Sequence, residues 1–247
     1  EAIERARTAH GAETVWPYHF AGTMGLVQRD SIHRFRHAFG FSREHETICV
    51  TTACNGWIAG HGKIWGADPR EIAESDLIVV WGGNPVSTQV NVMTHIAKAR
   101  KTRGAKLVVI APYRTPTAEA ADLHIPIRPG TDGALACAVM QVLFEENLAD
   151  WDYMRDFSDG PERLQQHLTT RTPEWAEAIT GIPADDIRDL ARLYGKTERA
   201  YLRCGYGLTR SRNGAANMHA VTCLPVVTGK WKHRGGGALF SNRELYG

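Results

Sequence analysis

Long apolar runs are missing from this sequence. No stretch approaches the roughly 20 residues a helix needs to cross a bilayer, and no leader pattern opens the chain, so direct membrane insertion is not expected. An excess of charge of one sign is missing too. The 29 Lys and Arg stand against 27 Asp and Glu, a net charge of +2, too small to argue for nucleic acid or a membrane surface as partner. No two cysteines form a C-x-x-C pair, which removes zinc ribbons and thioredoxin motifs. The five cysteines (Cys49, Cys54, Cys137, Cys204, Cys223) are scattered and odd in number, which fits a reducing compartment without excluding export of a folded protein. A soluble cytoplasmic or periplasmic chain is the expectation. Solenoid repeats and low-complexity linkers are absent as well. What remains is an ordinary globular composition, 43% hydrophobic over 247 residues, enough for one or two cored domains.

The clearest pattern lies between residues 68 and 147. "ADPREIAESD" starts a short helix, with Asp68 as cap, Pro69 in the first turn and Glu71 placed to reach back. "DLIVVW" and "AKLVVIA" are continuous β-branched runs, hence buried strands, and "LHIPI" is a shorter third. A glycine turn, "GGNPVSTQ", and a helix stopped by Gly104 separate the first two. "DGALACAVMQVLFEENL" reads as a long apolar helix, with Cys137 in the core. Strand, loop and helix in alternation predict an α/β fold with a doubly wound, mostly parallel sheet. Beyond Trp151 the chain turns helical, with a break at Gly181-Ile182-Pro183 and a stop at Gly195. "RAYLRCGYG" resumes a strand, a helix runs from about Asn213 to Thr228, and "GKWKHRGGG" reads as irregular. Near the start, "RDSIHRFRHAF" predicts an amphipathic helix and "FAGTMGL" a glycine turn. His33 and His37 share a helix face, but no third ligand lies near them, so surface or packing roles are expected.

Loops that follow strands in such a sheet carry ligands. Glycines let backbone N–H groups approach phosphate, so Gly82, Gly83 and Asn84 are candidates to cradle a diphosphate, with Arg114 and Arg128 as guanidinium forks. Asp132, in "RPGTDGAL", suits guanine: a carboxylate accepts paired hydrogen bonds from the ring N–H and exocyclic amine, and adenine offers no such pair. Each loop also has a plain structural reading: "GGNP" as a turn, Asp132 as a helix cap, the arginines as solvated. "VTTACNGWIAG" shows neither helix nor strand period, so Cys54 is either a ligand in a loop or a small core residue. Trp57, Trp65 and Trp231 lie in or beside glycine loops and read as core filling by default.

Taken in order, "ESDLIVVWGGNP", the stretch from "HIAKARKTRGAKLVVIAPYRTPTAEAADLHIPIRPGTDGAL" onward, "CGYGLTRSRNG" and "VVTGKWKHRGGG" resemble the molybdopterin oxidoreductase family of the dimethyl sulfoxide reductase and formate dehydrogenase type, from about Trp16 to Gly237. The resemblance implies a molybdenum or tungsten atom held by two molybdopterin guanine dinucleotides, and oxygen-atom transfer or two-electron oxidation and reduction of a small molecule. It assigns Gly82, Gly83, Asn84 and Pro85 to one dinucleotide turn, Arg114 and Thr115 to the phosphate or ribose loop, and Gly130, Thr131 and Asp132 to the guanine loop. Gly205, Gly207, Leu208, Thr209 and Arg210 fall to a loop facing the second dinucleotide. Cys54-Asn55-Gly56 falls where the family places its side chain on the metal. A thiolate suits a metal already held by dithiolenes. Some members carry an unliganded alanine there, and a shift of one residue puts Ala53 at the position.

The sequence departs from the family pattern at Ala111-Pro112-Tyr113-Arg114, where the family usually has Asp-Pro-Arg. The resemblance also leads us to expect a central fragment, inactive alone. A 4Fe–4S cluster would lie in a preceding region and a closing barrel in a following one, with a redox partner subunit or electron carrier, and self-association through uncovered apolar surface. The domains expected are 51–195 as an α/β dinucleotide-binding unit, and 1–50 with 196–247 as parts of a second, incomplete one. Two rival readings share the motifs: a scaffold relative that has lost the cofactor, and another nucleotide-binding Rossmann-like module.

Overall fold

A computed structural model describes residues 1–18, 31–43 and 48–241, and the chain divides into two units, Glu1–Thr47 and Ile48–Gly247. In the first unit α1 (Ala2–His10) and α2 (Ser31–Phe39) carry no buried residue. Phe35, Phe39 and Phe41 pack their rings with centroids 5.1–5.5 Å apart. The predicted amphipathic helix is therefore present, and the predicted glycine turn Phe20–Leu26 lies outside the described residues.

The second unit opens with α3 (Ile48–His61), followed by a 3-10 turn, Pro69–Glu74, and β1 (Leu77–Trp81). Then come α4 (Pro85–Thr88), α5 (Val90–Arg103), β2 (Lys106–Ala111), α6 (Pro116–Glu119), β3 (Leu123–Pro126) and α7 (Asp132–Glu145). Four helices follow without a strand: α8 (Trp151–Phe157), α9 (Pro161–Leu168), α10 (Pro173–Thr180) and α11 (Ala184–Lys196). The series ends with β4 (Ala200–Cys204), α12 (Gly214–Val227) and β5 (Gly237–Leu239). The strands form one sheet, ordered β3-β2-β1-β4-β5, with every pairing parallel.

Side chains alternate across a strand, and here both faces are covered. Leu77, Val79, Trp81, Val108, Ile110 and Leu202 enter the larger core with α3, α7, α11 and α12. Ile78, Val80, Leu107, Val109 and Tyr201 enter the smaller one with Ile96 and Ala99 of α5. Continuous apolar runs in the sequence are the mark of such doubly buried strands. The expected α/β, doubly wound architecture is what the chain adopts.

Several local expectations change. The stretch around Cys54 is helical, because α3 meets α12 at residues too small to show a period. An added Cβ on Gly56 would sit 2.8 Å from Met218 Cβ, and one on Gly60 3.0 Å from His219 Nδ1. The glycine run 235–237 ends in a strand, β5, too short to read in sequence. Asp68 caps its turn, accepting from Arg70 N–H at 2.8 Å, but Glu71 does not close a capping box; its Oε2 accepts from Gly235 N–H at 3.4 Å. Helix α11 passes through Gly195 to Lys196 instead of stopping. The domain expectation placed residues 196–247 apart from 51–195. Yet β4 pairs with β1 along its length and β5 with β4, so these segments share one sheet, and the chain divides at Thr47.

Lys230, 4% exposed, donates from Nζ to the Gly195 carbonyl at 3.0 Å, with Nζ 5.9 Å from the Tyr194 ring centroid. Burial pulls its ammonium down to about 8 from the ordinary 10.5. Between those pH values the unfolded chain holds a proton that the folded chain has shed, so stability rises with pH through the window. Below it the full penalty applies. Lys230→Met is therefore expected to stabilise the chain at pH 7 by about 2 kcal/mol. The gap to wild type should close as pH approaches 10.5, measured by urea denaturation of both at each pH; a gap independent of pH would remove the explanation.

Candidate functional site

Because all strands run the same way, the loops after β1, β2, β3, β4 and β5 emerge at one sheet edge. The chain builds outward from β1 through β2 to β3, then returns to the other side of β1 with β4. In open α/β sheets, ligands are held at the strand ends where the order reverses, here at the β1 and β4 loops.

Glycine brings these two loops into contact. Gly205 N–H donates to Trp81 O at 2.7 Å and Gly207 N–H to Gly82 O at 2.8 Å. A Cβ on Gly205 would lie 2.6 Å from both Gly82 C and Gly83 Cα, and one on Gly82 (φ 66°) 2.6 Å from Leu208 N. Three of the candidate glycines are thus spent on joining loops. Gly83 differs: an added Cβ there would make only ordinary contacts, the nearest with Val80 Cγ1 at 3.5 Å.

Asn84 ties the β1 loop to the β2 loop. Its Oδ1 accepts from Thr117 Oγ1 at 2.7 Å, and its Nδ2 donates to Ser87 Oγ at 3.1 Å. Pro85 is buried as the first residue of α4. Thr115 caps α6, its Oγ1 accepting from Ala118 N–H at 3.2 Å, while Arg114 beside it is exposed at the edge. Arg128, read as a phosphate fork, is engaged elsewhere: its Nη1 donates to the Ala178 and Ile179 carbonyls at 3.1 and 3.3 Å, at the end of α10.

Asp132 opens α7 and is 5% exposed. It is not the cap; Thr131 holds that place, its own hydroxyl donating to Arg128 O at 2.7 Å. The Asp132 carboxylate instead accepts at Oδ1 from the indole Nε1 of Trp81, at 2.8 Å. Burial raises its pKa, and the Trp81 bond works against that rise. Sequence reasoning treated Trp81 as strand core and so missed this donor.

Asn213 and Asn217 join the β3 and β4 loops. Asn213 Nδ2 donates to Gly130 O at 3.0 Å, and Asn217 Oδ1 accepts from Gly133 N–H at 3.1 Å. Asn217 Nδ2 reaches Leu208 O at 3.3 Å. Asn213 was legible only as the start of a helix, and Asn217 was unflagged because nothing local distinguishes it on an apolar helix. Leu208 and Thr209 are buried in their turn and Arg210 is exposed. The loops carrying Gly83, Asp132 and Gly207 are thus linked at one rim.

Cys54 lies mid-helix in α3, 7% exposed, in the larger core with Ala53 and Trp57. Helix α3 also contacts the turn Gly207–Thr209, which brings this helix to the rim. The side chain of Cys49 lies outside the described residues. Trp57 is core, donating to Trp65 O at 3.1 Å, and Trp65 is largely exposed. No group of three metal-ligating side chains occurs among the described residues, and none of their helices is long and apolar enough to cross a membrane.

A parallel sheet whose glycine turns meet at its reversal defines a doubly wound α/β module. Residues 23–243 match the family model for molybdopterin oxidoreductase, and the chain belongs to that family. It is 40% identical over 236 residues to the probable oxidoreductase YoaE of Bacillus subtilis, covering 95% of this chain and 35% of YoaE. To the dimethyl sulfoxide reductase DmsA of Haemophilus influenzae it is 31% identical over 275 residues, covering 96% and 33%. The fold matches acetylene hydratase from Pelobacter acetylenicus with a TM-score of 0.72 at 23% identity, over 92% of this chain and 31% of that one. The chain therefore spans about a third of the length of the relatives it matches. Membership implies a molybdenum or tungsten pterin cofactor.

Proposed function

We propose that this chain is the cofactor-holding core of a molybdenum or tungsten oxidoreductase, and that the cofactor is two molybdopterin guanine dinucleotides. The whole protein would catalyse oxygen-atom transfer or two-electron oxidation or reduction of a small molecule, with a redox partner subunit or electron carrier. What carries the reading is the buried Asp132, oriented by Trp81 beside the joined β1 and β4 loops. A carboxylate fixed there would accept paired hydrogen bonds from a guanine edge, which adenine does not offer. Arg114 and Arg210, exposed at the same edge, would face the charged portion of a nucleotide. The donor set fits such a group: a pterin supplies its own sulfurs to the metal, so the protein need contribute at most one ligand, and Cys54 is the candidate. The bound metal would supply the redox chemistry; the chain's residues orient the nucleotide ends.

The test is calorimetry of the chain with GDP and ADP. GDP is expected to bind at least tenfold more tightly, and Asp132→Ala to erase the difference. Equal binding of the two nucleotides by wild type would remove the guanine assignment. In the full-length protein, molybdenum or tungsten near one atom per chain is expected, and Cys54→Ala should change the metal's spectroscopic signature; no metal would support the scaffold reading instead.

A further inference from the structure

Away from the rim, two cysteines share one helix seam. Helices α7 and α12 pack side by side on one face of the sheet. Each follows a strand of a parallel sheet, so both run in the same direction. Their alignment is fixed at both ends. At the start, Gly133 N–H donates to Asn217 Oδ1 at 3.1 Å. An added Cβ on Gly133 would lie 3.7 Å from Asn217 Cα and 3.9 Å from Ala220 Cβ. Just past the end of α7, Asp150 N–H donates to Val227 O at 2.8 Å.

Residues three or four apart lie over one another on a helix. One turn beyond Gly133 is Cys137, and one turn beyond Ala220 are Cys223 and Leu224. Leu224 turns into the larger core, whereas Cys137 and Cys223 are half-buried and pack against its margin. The two cysteines therefore sit at one level of the seam. Their chemistry agrees with that placement. Cys223 Sγ lies 3.3 Å from His219 O and donates to it. Burial lifts the Cys223 thiol to about 12, and the charge of an ionised Cys137 adds to the rise, an influence that falls off with distance. Burial raises the Cys137 thiol too, against the pull of Arg171. Cys204, by contrast, is fully enclosed in β4.

We propose that Cys137 and Cys223 are a modification site: an intrachain disulfide that a peroxide forms between α7 and α12. One thiolate attacks the O–O bond of hydrogen peroxide, giving a sulfenic acid and a first water. The second thiolate attacks that sulfur; the S–S bond forms, and the S–O bond breaks to release a second water. Two thiols give up two electrons and two protons, and one peroxide becomes two waters. Both thiols are mostly protonated at neutral pH, so the reaction is slow there and follows the thiolate fraction. The product ties together the helices whose first turns carry Asp132 and Asn217. It stands apart from the guanine reading, because no nucleotide takes part in it.

The experiment is treatment of the folded chain with hydrogen peroxide, followed by thiol counting in denaturant, non-reducing peptide mapping and thermal melting. Two of the chain's five thiols are expected to disappear, with the peptide that holds Cys137 joined to the one that holds Cys223. Dithiothreitol should restore both. The linked chain should melt roughly 5 °C or more above the reduced one, because the bond closes a long loop. The initial rate should rise about tenfold per pH unit between roughly pH 7 and 9. Cys137→Ser and Cys223→Ser should each form no internal disulfide and show no gain in melting temperature. An internal disulfide that persists in either variant overturns the proposal. So does retention of all five thiols by wild type after prolonged treatment at the upper pH, or oxidation to sulfinic or sulfonic acid without an S–S bond.

Discussion

Gly205→Ala is expected to destabilise the chain by about 3 kcal/mol or more, at the upper end for overpacking. The reason is the identity of the atoms in the way. The new methyl would sit 2.6 Å from Gly82 C and from Gly83 Cα, and it would also strike Gly82 O, all of them backbone. Side chains can rotate away from a clash; a turn held by Gly82 N–H to Ile110 O at 2.9 Å and by Gly207 N–H to Gly82 O cannot yield without breaking those bonds. Gly83→Ala is the matched control. Its methyl would find only ordinary contacts, the nearest being Val80 Cγ1 at 3.5 Å. A change below about 1 kcal/mol is expected there. Urea denaturation midpoints of the two variants decide the matter. If Gly205→Ala is no less stable than Gly83→Ala, the two loops do not meet as described. A fully folded Gly205→Ala variant that still prefers GDP would also separate loop packing from nucleotide recognition.

Trp81→Phe should cost about 3 kcal/mol at pH 7. Some 1.5–3 comes from the lost bond to a charged acceptor, and the rest from the space left by the indole. The pH dependence identifies the cause. Burial holds the Asp132 carboxyl above the usual range, so its ionised form is disfavoured in the folded chain. A folded pKa above the unfolded one means that the penalty is absent below the ordinary carboxylate range, and grows as pH rises through the folded value. Without the indole donor that penalty becomes larger, so the Trp81→Phe deficit should shrink on acidification. Asp132→Asn, which removes the charge, should recover most of the deficit in the Trp81→Phe background. In the wild-type background Asp132→Asn should be neutral or stabilising at pH 7. Additive effects of the two substitutions would show that the pair does not interact.

Much of this was legible in the sequence, for identifiable reasons. Strands β1 and β2 stood out because both faces are buried, so apolar residues run without a break. The stop at Gly104 was legible because its φ of 68° favours glycine. Helix α3 was hidden because Ala53, Gly56 and Gly60 serve close helix packing, and small residues carry no amphipathic signal. Strand β5 was hidden because three residues between glycines offer no alternation. At the site, the glycine loops were legible, but not that Gly82, Gly205 and Gly207 also hold one loop to the other. Asp132 was selected for its chemistry, but its partner Trp81 lies 51 positions away, and no spacing rule joins them. Cys137 and Cys223 look unrelated in the sequence; only the fold sets them on one helix seam.

The central strand has one more consequence. Leu77 pairs with Lys106 on one side and with Ala200 on the other. The first partner arrives soon after β1 leaves the ribosome, whereas the second must wait until all eight helices from α4 to α11 have been made. Pairing between segments so distant in the chain slows folding, because loop-closure entropy is lost before the contacts that reward it can form. During that interval one side of β1 offers unpaired backbone groups that invite a wrong partner. The same reversal that gathers the site loops thus leaves β1 paired on one side only until late in synthesis.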